Sequence, residues 1–259
     1  MNASARKSRR RGLGAFIVTG LVVLGLVGAF FVIDGGLRGY AEQQVEREIA
    51  ANLPETVTGK VAVSIGGLSV IGQYLGGSFD RVALVTDALV VDDVPASVHV
   101  VATDVPLKSS EPVGDLRGII DLEPDALNTL LGQALPSDAP DASVELGVDE
   151  VSYSGSLEVL GFPLGYRATA IPTADTDALL LTPTGASVTS GAGSVDAGNL
   201  LSLVLGEEPV RVCVAQYLPE GVTLAGVTVT PERTRLTLQS SELTLSRQSL
   251  TTLGSCDND

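Results

Sequence analysis

The sequence predicts an α+β fold in which an N-terminal transmembrane helix precedes a long, curved, mainly antiparallel sheet with a few helices. Three observations lead to this prediction. Residues 12–33 carry no charge and follow a basic cluster, which is typical of a membrane-spanning helix. Many later segments alternate apolar and polar residues, as half-buried strands do. Helical periodicity is confined to a few short stretches, so strands should build most of the remainder.

The uncharged run at 12–33 is predicted to be an uncleaved signal anchor. Its 22 residues would form a helix about 33 Å long, which is enough to cross the hydrocarbon core of a bilayer. The basic residues within 1–11 should stay in the cytoplasm, so everything from Asp34 onward would lie outside. A cleaved signal peptide is the alternative, but its apolar region is usually only about 7–15 residues long, and no clear A-x-A cleavage site follows.

Residues 34–54 are predicted to form an amphipathic juxtamembrane helix. Leu37, Ala41, Val45 and Ile49 recur every four residues with polar side chains between them, and the helix should end near residue 54. Because it leads directly out of the membrane segment, this helix would be either a stalk or a helix packed against the exported domain at 55–259.

Residues 63–82, VSIGGLSVIGQYLGGSFDRV, alternate like a strand but contain two Gly-Gly pairs. The glycines at 66–67 and 76–77 would allow bends or bulges, and a curved sheet that folds over its own apolar face would use such a pattern. The large apolar side chains would either fill a core or line a groove for an apolar ligand. Taken alone, the residues favour the filled core.

Two further helices and a series of strands are predicted beyond this stretch. Residues 123–136 (EPDALNTLLGQALP) and 196–206 (DAGNLLSLVLG) have the leucine spacing of amphipathic helices. The predicted strands cover 61–65, 82–91, 96–105, 144–160, 166–171, 178–181, 210–215, 222–230 and 235–239. A turn or bulge around residues 240–241 should precede a last leucine-rich strand. The PSDAPD segment at 136–141 is a candidate linker between two halves of similar length, which permits a weak internal repeat.

The net charge argues against nucleic acid as a partner. All 31 acidic residues follow residue 33, together with 11 of the 16 basic ones, so the exported part has a net charge of −20. Such a domain repels DNA, RNA and a bare anionic bilayer surface. A dispersed negative charge also keeps a protein soluble, which is the simpler explanation for it.

Cys213 and Cys256 are predicted to form one disulfide, because an even number of cysteines outside the membrane favours pairing. The closed loop would hold 44 residues and contribute about 4 kcal/mol in a chain-entropy treatment. A metal pair or a redox-active thiol fits poorly, since there is no C-x-x-C motif and His99 is the only histidine. We therefore predict neither a metal nor another cofactor.

Catalytic motifs are missing from the sequence, so we predict that the protein is not an enzyme. There is no G-x-S-x-G, H-E-x-x-H, P-loop or G-x-G-x-x-G pattern. Acidic pairs occur at 92–93 and 207–208. Adjacent acids on a turn are usually solvated, however, and neighbours on a strand point to opposite faces.

Two stretches resemble a known family. VSIGGLSVIGQYLGGSFDRVALVTD (63–87) follows a basic patch, a membrane segment and an amphipathic helix, and it resembles the opening signature of the LmeA-like phospholipid-binding family of actinobacterial cell-envelope proteins. YLPEGVTLAGVTVTPERTRLTLQSSELTL (217–245) is similar to that family's ending. Between these two ends, the chain resembles the family only in the spacing of its predicted strands and in length.

The resemblance implies a non-enzymatic protein of the periplasm or cell envelope that binds phospholipids, including inositol phospholipids. In mycobacterial relatives it implies support of mannan elongation on lipomannan. It also implies an elongated, tubular lipid-binding fold in which a strongly curved sheet wraps around helices, and it brings no catalytic residues. From our interpretation of residues 63–82, the candidate lipid-contacting residues are Leu68, Val70, Ile71, Tyr74, Leu75 and Phe79.

An anionic lipid would need local positive charge, because the overall field of the exported domain opposes its binding. The candidates for contact with the headgroup are Lys60, Arg81, Lys108, Arg117 and Arg167. If they do not converge, the acyl chains alone could hold the ligand, at about 0.8 kcal/mol per buried methylene. The alternative functions are a scaffold for envelope glycolipid enzymes that binds no lipid, and an accessory to a hydrolase or transferase.

Overall fold

The structure of the protein is a computed structural model, which describes residues 32–51, 56–134, 142–159, 162–190, 193–196 and 208–256. These residues form mostly antiparallel strands with a few helices, which agrees with an α+β fold. Of the predicted membrane segment only residues 32 and 33 are described, and the basic tail lies outside the described residues. No helix within the described ranges is both long enough and apolar enough to cross a bilayer.

The described residues contain thirteen strands and four helices. The strands are β1 (Val57–Thr58), β2 (Ala62–Ile65), β3 (Ser78–Val91), β4 (Val94–Pro106), β5 (Asp115–Leu122), β6 (Ser143–Leu146), β7 (Val151–Val159), β8 (Phe162–Asp175), β9 (Ala178–Ser190), β10 (Gly193–Asp196), β11 (Val210–Cys213), β12 (Thr223–Thr230) and β13 (Arg233–Ser240). The helices are α1 (32–51), α2 (Val70–Gly76), α3 (Pro124–Ala134) and α4 (Arg247–Thr251), and a 3₁₀ turn covers Ala215–Tyr217.

The strands form two sheets rather than the single sheet that the sequence predicts. Sheet I has seven strands in the order β1-β3-β4-β5-β13-β12, with β2 beside β3. Sheet II has six strands in the order β10-β9-β8-β7-β6, with β11 beside β9. All of these pairs are antiparallel. Because the chain leaves sheet I after β5, builds sheet II and then returns, the sheets do not correspond to two consecutive halves of the chain.

The hairpin between β3 and β4 turns on two acidic residues. Asp92 and Asp93 have φ angles of 48° and 67°. Two-residue hairpin turns require such left-handed values, and aspartate tolerates them because its short side chain can hydrogen-bond locally. The acidic pair at 92–93 therefore has a conformational role as the turn of a hairpin.

The core lies at the end of sheet I, where it meets the tip of the β8–β9 hairpin. Its buried members are Ala102, Val105, Val113, Leu116, Val222, Leu224, Leu238 and Leu243. Ala174 and Leu179, one from each strand of the hairpin, pack against this cluster. The N–H of Leu224 also donates to the carbonyl of Thr176 at 2.7 Å. Backbone and side-chain contacts therefore join the two sheets.

Two long-range links fix the C-terminal part of the chain. Cys213, the last residue of β11, forms a disulfide with Cys256, which confirms the predicted pair. Asp121 on β5 accepts two hydrogen bonds of 2.7 Å from Arg235 on β13 and one of 3.2 Å from Arg233. These bonds, with the one from Arg235 contributing most, hold the pKa of Asp121 below its usual value.

Sheet II carries a pair of tyrosines on neighbouring strands. The hydroxyl of Tyr166 donates to the hydroxyl of Tyr153 at 3.2 Å, and the ring centroids are 5.7 Å apart. This hydrogen bond, together with burial, raises the pKa of Tyr166 to about 12. Gly155 lies under the ring, since a Cβ at this position would be only 2.5 Å from the Tyr166 hydroxyl oxygen.

Most of the predicted secondary structure is confirmed. The helix predicted at 123–136 contains α3, and the turn predicted at 240–241 follows the end of β13 at Ser240. The hydroxyl of Ser240 accepts hydrogen bonds from the N–H groups of Glu242 and Leu243, which closes that turn. Apart from the 144–160 segment, the predicted strands overlap β2–β4, β8, β9 and β11–β13.

Further parts of the predicted secondary structure differ from the structure. The single strand predicted at 144–160 is wrong, because a turn closed by the N–H of Gly147 and the carbonyl of Glu150 separates β6 from β7. Strands β1, β5 and β10 are absent from the prediction. In place of the last leucine-rich strand, the structure has one bridge between Pro112 and Thr244, followed by α4. Residues 197–206 of the remaining predicted helix lie outside the described residues, and Asp196 ends β10.

Candidate functional site

The glycine-broken stretch at 63–82 does not form the bulged strand that its alternation predicts. It consists of β2, a turn, α2 and the beginning of β3. Ser69 caps the N-terminus of α2, since its hydroxyl accepts a hydrogen bond from the N–H of Gly72 at 3.0 Å. Gly77 ends the helix with a φ of 90°, a value that favours glycine. The second glycine pair therefore terminates a helix instead of bending a strand.

Gln73 fixes the conformation of this turn from inside. Its side-chain amide donates to the carbonyls of Gly66 and Ser69 at 3.0 and 3.1 Å. Its side-chain carbonyl accepts a bond of 2.7 Å from the N–H of Asp80. Gln73 is buried, so these bonds satisfy the polar groups that burial removes from water.

Helix α1 is confirmed by the structure and packs against the domain through a polar stripe. Asp34, Arg38, Glu42 and Glu46 are spaced by four residues and therefore share one face of the helix. An amphipathic helix normally turns its apolar face to the core. Here the apolar face is partly open to solvent, since Leu37 and Val45 on that face are exposed.

The carboxylates of the stripe bind the free edge of β2. Glu46 accepts a hydrogen bond of 2.9 Å from the N–H of Val63, and Glu42 accepts one of 2.8 Å from the N–H of Ile65. These two N–H groups point away from β3, the only strand that β2 pairs with among the described residues. Arg38 donates to the carbonyl of Gly67 at 2.9 Å, which extends the contact toward α2.

Asp34 joins α1 to the first turn of α2. The residue is only 2% exposed. Its carboxylate accepts hydrogen bonds from the hydroxyl of Ser69 at 2.8 Å and from the N–H groups of Val70 and Ile71 at 3.1 and 3.0 Å. The bond from Ile71 is the largest of the effects that hold the pKa of Asp34 below its usual value. A carboxylate at the N-terminus of a helix also interacts favourably with the helix dipole.

The six candidate lipid-contacting residues separate into two groups. Val70 is buried, Ile71 is half-buried, and Phe79 packs against the core. The other three are 88%, 64% and 81% exposed and lie within α2 or just before it. We call these three residues, Leu68, Tyr74 and Leu75, the α2 corner.

Two of the five headgroup candidates lie on the same face of sheet I. Arg81 on β3 pairs with Thr103 on β4, and Thr103 pairs with Asp115 on β5. Two residues along β4, Val101 pairs with Arg117. Residues that are directly paired, or two apart on one strand, point to the same face. Arg81 and Arg117 therefore flank β4 with their side chains on one side, and two strand spacings plus the two-residue offset put their Cα atoms roughly 12 Å apart.

These residues surround an open depression with a volume of about 440 Å³. Its lining consists of Arg81, His99, Val101, Thr103, Asp115, Arg117 and Ile119. We call it the sheet I depression. The floor is apolar where Val101 and Ile119 lie, and the rim carries the two arginines.

The two arginines at the rim differ in whether an acidic side chain already pairs with them. Arg117 is paired with Asp115 at 3.1 Å; the Arg117 side chain is largely exposed and that of Asp115 is half exposed. Arg81 forms no ion pair with any residue that the structure describes. His99 is exposed and pairs with Ile119 in the ladder, which places its imidazole on the same face. The site can therefore offer two guanidinium groups and an imidazole to an anion above an apolar surface.

The other three headgroup candidates do not join this site. Lys108 is paired with Glu111 at 2.9 Å, and Arg167 is paired with Glu145 at 2.7 Å on sheet II. These hydrogen bonds raise the pKa of both cationic groups. Lys60 lines a separate depression beside α1.

His99 and Thr103 are site residues that sequence reasoning did not assign to lipid binding. The alternation of residues 96–105 does place His99, Val101 and Thr103 on one face of a strand. The missing information is the pairing with β5, because that strand brings Arg117 and Asp115 to the same face.

A second depression on sheet I has the opposite charge. It has a volume of about 300 Å³, and its lining includes Asp87, Asp121, Glu123 and Glu232. Asp121 is already bound by Arg235, and the remaining carboxylates would repel an anion. Within the described residues no group of histidine, cysteine, aspartate or glutamate side chains could hold a metal ion.

Comparison with known proteins gives one match. The family model for LmeA-like phospholipid-binding proteins matches residues 32–239, which cover both sheets, helix α1, the α2 corner and the sheet I depression. No curated protein and no solved structure matches the chain.

Proposed function

The chain belongs to the LmeA-like phospholipid-binding family, and from that premise we propose that it binds the phosphate of a phospholipid at the sheet I depression. The family assignment supports a phospholipid-binding role. The observation that carries the location is the presence of Arg81 and Arg117 on one face, above the floor formed by Val101 and Ile119. Guanidinium groups suit phosphate because they donate several hydrogen bonds in a fixed geometry.

Local charge is what makes this proposal compatible with the acidity of the protein. The net charge beyond residue 33 is −20, but charges farther away than about 8 Å are largely screened at physiological ionic strength. The depression is lined by two arginines, Arg81 and Arg117, and by one acidic residue, Asp115. The anion would thus meet a positive rim although the domain as a whole is negative.

We further propose that the lipid carries an inositol headgroup and that the protein serves envelope lipid or lipoglycan maintenance, as in lipomannan synthesis. An inositol ring presents several hydroxyl groups beside the phosphate. Thr103, Asp115 and His99 line the depression next to the arginines and can exchange hydrogen bonds with such hydroxyls. The apolar floor suits the first part of the acyl chains or the glycerol backbone.

The protein is proposed to act outside the cytoplasm, anchored to the membrane by residues 12–33. The disulfide supports this location, because such bonds persist mainly in oxidising compartments. The direct continuation of the uncharged run into α1 supports anchoring close to the domain. We also propose that the two sheets together form the elongated, tubular shape of lipid-binding folds, which is supported by the packing of β8 against β12.

Native mass spectrometry with lipid extraction tests this function on the full chain, expressed through an oxidising secretory route and purified in detergent. We expect about one phospholipid per chain. Arg81→Gln combined with Arg117→Gln should lose about 2 kcal/mol of binding free energy, a roughly 30-fold weaker affinity for phosphatidylinositol, since exposed charged contacts contribute about 1 kcal/mol each. Arg167→Gln is the matched control, because Arg167 lies on sheet II and should not affect retention.

The outcomes separate the function from its location. A folded protein that carries no lipid and takes up no added phosphatidylinositol would contradict phospholipid binding. Equal lipid retention by the wild type, the double variant and the control would contradict the sheet I depression as the site.

A further inference from the structure

We propose that the α2 corner is a membrane-contact surface, which rests against the lipid headgroups and inserts Leu68 and Leu75 into the bilayer interface. This inference rests on the membrane anchoring proposed above for residues 12–33. It assigns to the α2 corner a contact with the bilayer as a whole, which differs from the binding of one phospholipid at the sheet I depression.

The exposure of the α2 corner is the first observation. Single exposed apolar residues are normal on protein surfaces. Leu68 and Leu75, however, are 88% and 81% exposed, lie within one short segment, and have Tyr74 next to them. Tyrosine is enriched where membranes meet water, because its ring is apolar and its hydroxyl is polar.

These side chains are held outward by a rigid turn. Ser69 caps the start of α2, Gly77 closes its end, and Gln73 binds backbone groups on both sides of the turn. Each of these contacts is internal to the turn or to the adjacent strand. The hydrogen bonds of the turn therefore hold Leu68 and Leu75 in solvent, and packing of the leucines themselves is not required.

The position of the α2 corner relative to the anchor is the second observation. Asp34, the first charged residue after the run at 12–33, binds the first turn of α2 through three hydrogen bonds. Val32 and Ile33, which end that run, are 77% and 59% exposed. Because a helix rises only about 1.5 Å per residue, the α2 corner is tied within one turn of the point where the uncharged run ends.

The charge pattern also suits a bilayer. No acidic or basic residue occurs between residues 66 and 79, although the net charge beyond residue 33 is −20. Acidic side chains on this corner would be repelled by anionic headgroups and would be costly to bury in the interface. The three residues of the α2 corner are uncharged and avoid both costs, although the carboxylate of Asp80 lies beside Gly67.

The corner adjoins the proposed lipid site. Gly66, at the start of the turn, donates its N–H to the carbonyl of Arg81 at 2.8 Å. A Cβ at residue 66 would be only 3.2 Å from the Cβ of Arg81. A corner that rests on the bilayer would therefore bring Arg81, at the rim of the sheet I depression, close to the headgroups from which a phospholipid is taken.

The absence of tryptophan from the chain allows a direct test. Leu75→Trp introduces a single tryptophan at a solvent-exposed position, where the larger side chain can be accommodated. Tyr217→Trp is the matched control, because Tyr217 is an exposed aromatic residue in the 3₁₀ turn after β11. The full chain carrying either substitution is reconstituted in phosphatidylcholine and phosphatidylglycerol vesicles, with or without phosphatidylcholine brominated on its acyl chains.

We expect the tryptophan at residue 75 to emit at shorter wavelength in vesicles than the tryptophan at residue 217 and to lose most of its emission in brominated vesicles. The tryptophan at residue 217 should keep the emission of a solvent-exposed indole and should not be quenched. Equal quenching at the two positions would overturn the inference. So would quenching at residue 75 that persists after transfer into unbrominated detergent, because a single retained lipid and not the bilayer would then be the quencher.

This experiment is independent of the test of the proposed function. Quenching at residue 75 by a protein that retains no phospholipid would support membrane contact and contradict phospholipid binding. Retained phospholipid without quenching at residue 75 would support phospholipid binding and contradict membrane contact.

Discussion

Removal of the two carboxylates that cover the edge of β2 should loosen α1 from the domain while sheet I stays intact. Glu42 and Glu46 accept hydrogen bonds from the N–H groups of Ile65 and Val63, at 2.8 and 2.9 Å. Four residues of helix rise about 6 Å and two residues of strand about 6.8 Å, so this spacing matches alternate N–H groups of the strand. Glu42→Ala combined with Glu46→Ala leaves both donors unpaired.

The size of the effect follows from the burial of the strand. Val63 and Ile65 are buried, whereas the carboxylates are only partly so. An unsatisfied buried donor costs about 1–3 kcal/mol, and water reaches this edge more easily than a core, so the lower limit applies. Two donors then give about 2 kcal/mol, which corresponds to a roughly 30-fold increase in the local opening constant.

Hydrogen exchange read out at single residues measures this directly. The amides of Val63 and Ile65 should exchange roughly 30-fold faster in the double variant, as estimated from the lost hydrogen bonds. Amides in the β4–β5 ladder should be unchanged. Gln44→Ala is the control, because Gln44 lies on the exposed side of the same helix. Unchanged exchange at both amides would refute the idea that the polar stripe of α1 holds the edge of β2.

Three further predictions concern stability and ionisation. Cys213→Ser combined with Cys256→Ser should lower the free energy of unfolding by about 4 kcal/mol in denaturant titrations, and an unchanged midpoint would contradict the loop-closure argument. Asp121→Asn should cost about 1–2 kcal/mol at pH 7; because the folded pKa is lowered, that difference from the wild type should shrink in thermal melts as the pH falls below about 4. Tyr153→Phe should bring the pKa of Tyr166 down from about 12, as seen in tyrosinate absorbance. Because that pKa is raised in the fold, the stabilisation exists below pH of about 10 and disappears as the pH rises through the folded pKa, so a constant titration curve would exclude Tyr153 as the cause.

Periodicity predicts that α1 is a helix, but it does not predict which face packs. Leu37 and Val45 define an apolar stripe, yet the contacts are made by Asp34, Glu42 and Glu46. The reason is that β2 has unpaired N–H groups on the side away from β3, and carboxylates satisfy these whereas apolar side chains cannot. The spacing of the charged residues is visible in the sequence, but its meaning depends on an edge strand that is found only in the fold.

The sheet I depression shows a similar limit. Arg81 and Arg117 can be identified in the sequence as cations, but they lie on the same face of sheet I only because β5 pairs with β4. Strand β5 is hard to recognise, since Gly118 interrupts its alternation. The glycine has a packing reason: a Cβ there would approach the Cβ of Leu238 to 3.3 Å. Long-range pairing of this kind leaves little trace in local patterns.

The helix α2 illustrates the reverse case. Local signals of a short helix are present in the sequence, but the alternation around them favours a strand. Ser69 followed by an uncharged stretch, with Gly77 at its end, is a cap pair typical of a short helix. The surrounding strand rhythm favours a bulged strand at the same place. The carboxylate of Asp34, far away in sequence, tips the balance by binding the free N–H groups of the first turn.

The return of the chain to sheet I has a consequence for biogenesis. Strand β5 pairs with β13 across a sequence separation such as the 114 residues between Asp121 and Arg235. In the export proposed above, β5 would remain an open edge until the segment 233–240 has crossed the membrane. The same late segment supplies Leu238 to the core. A chain truncated before β13 should therefore have an unpaired edge and an incomplete core, which would make it prone to proteolysis and aggregation.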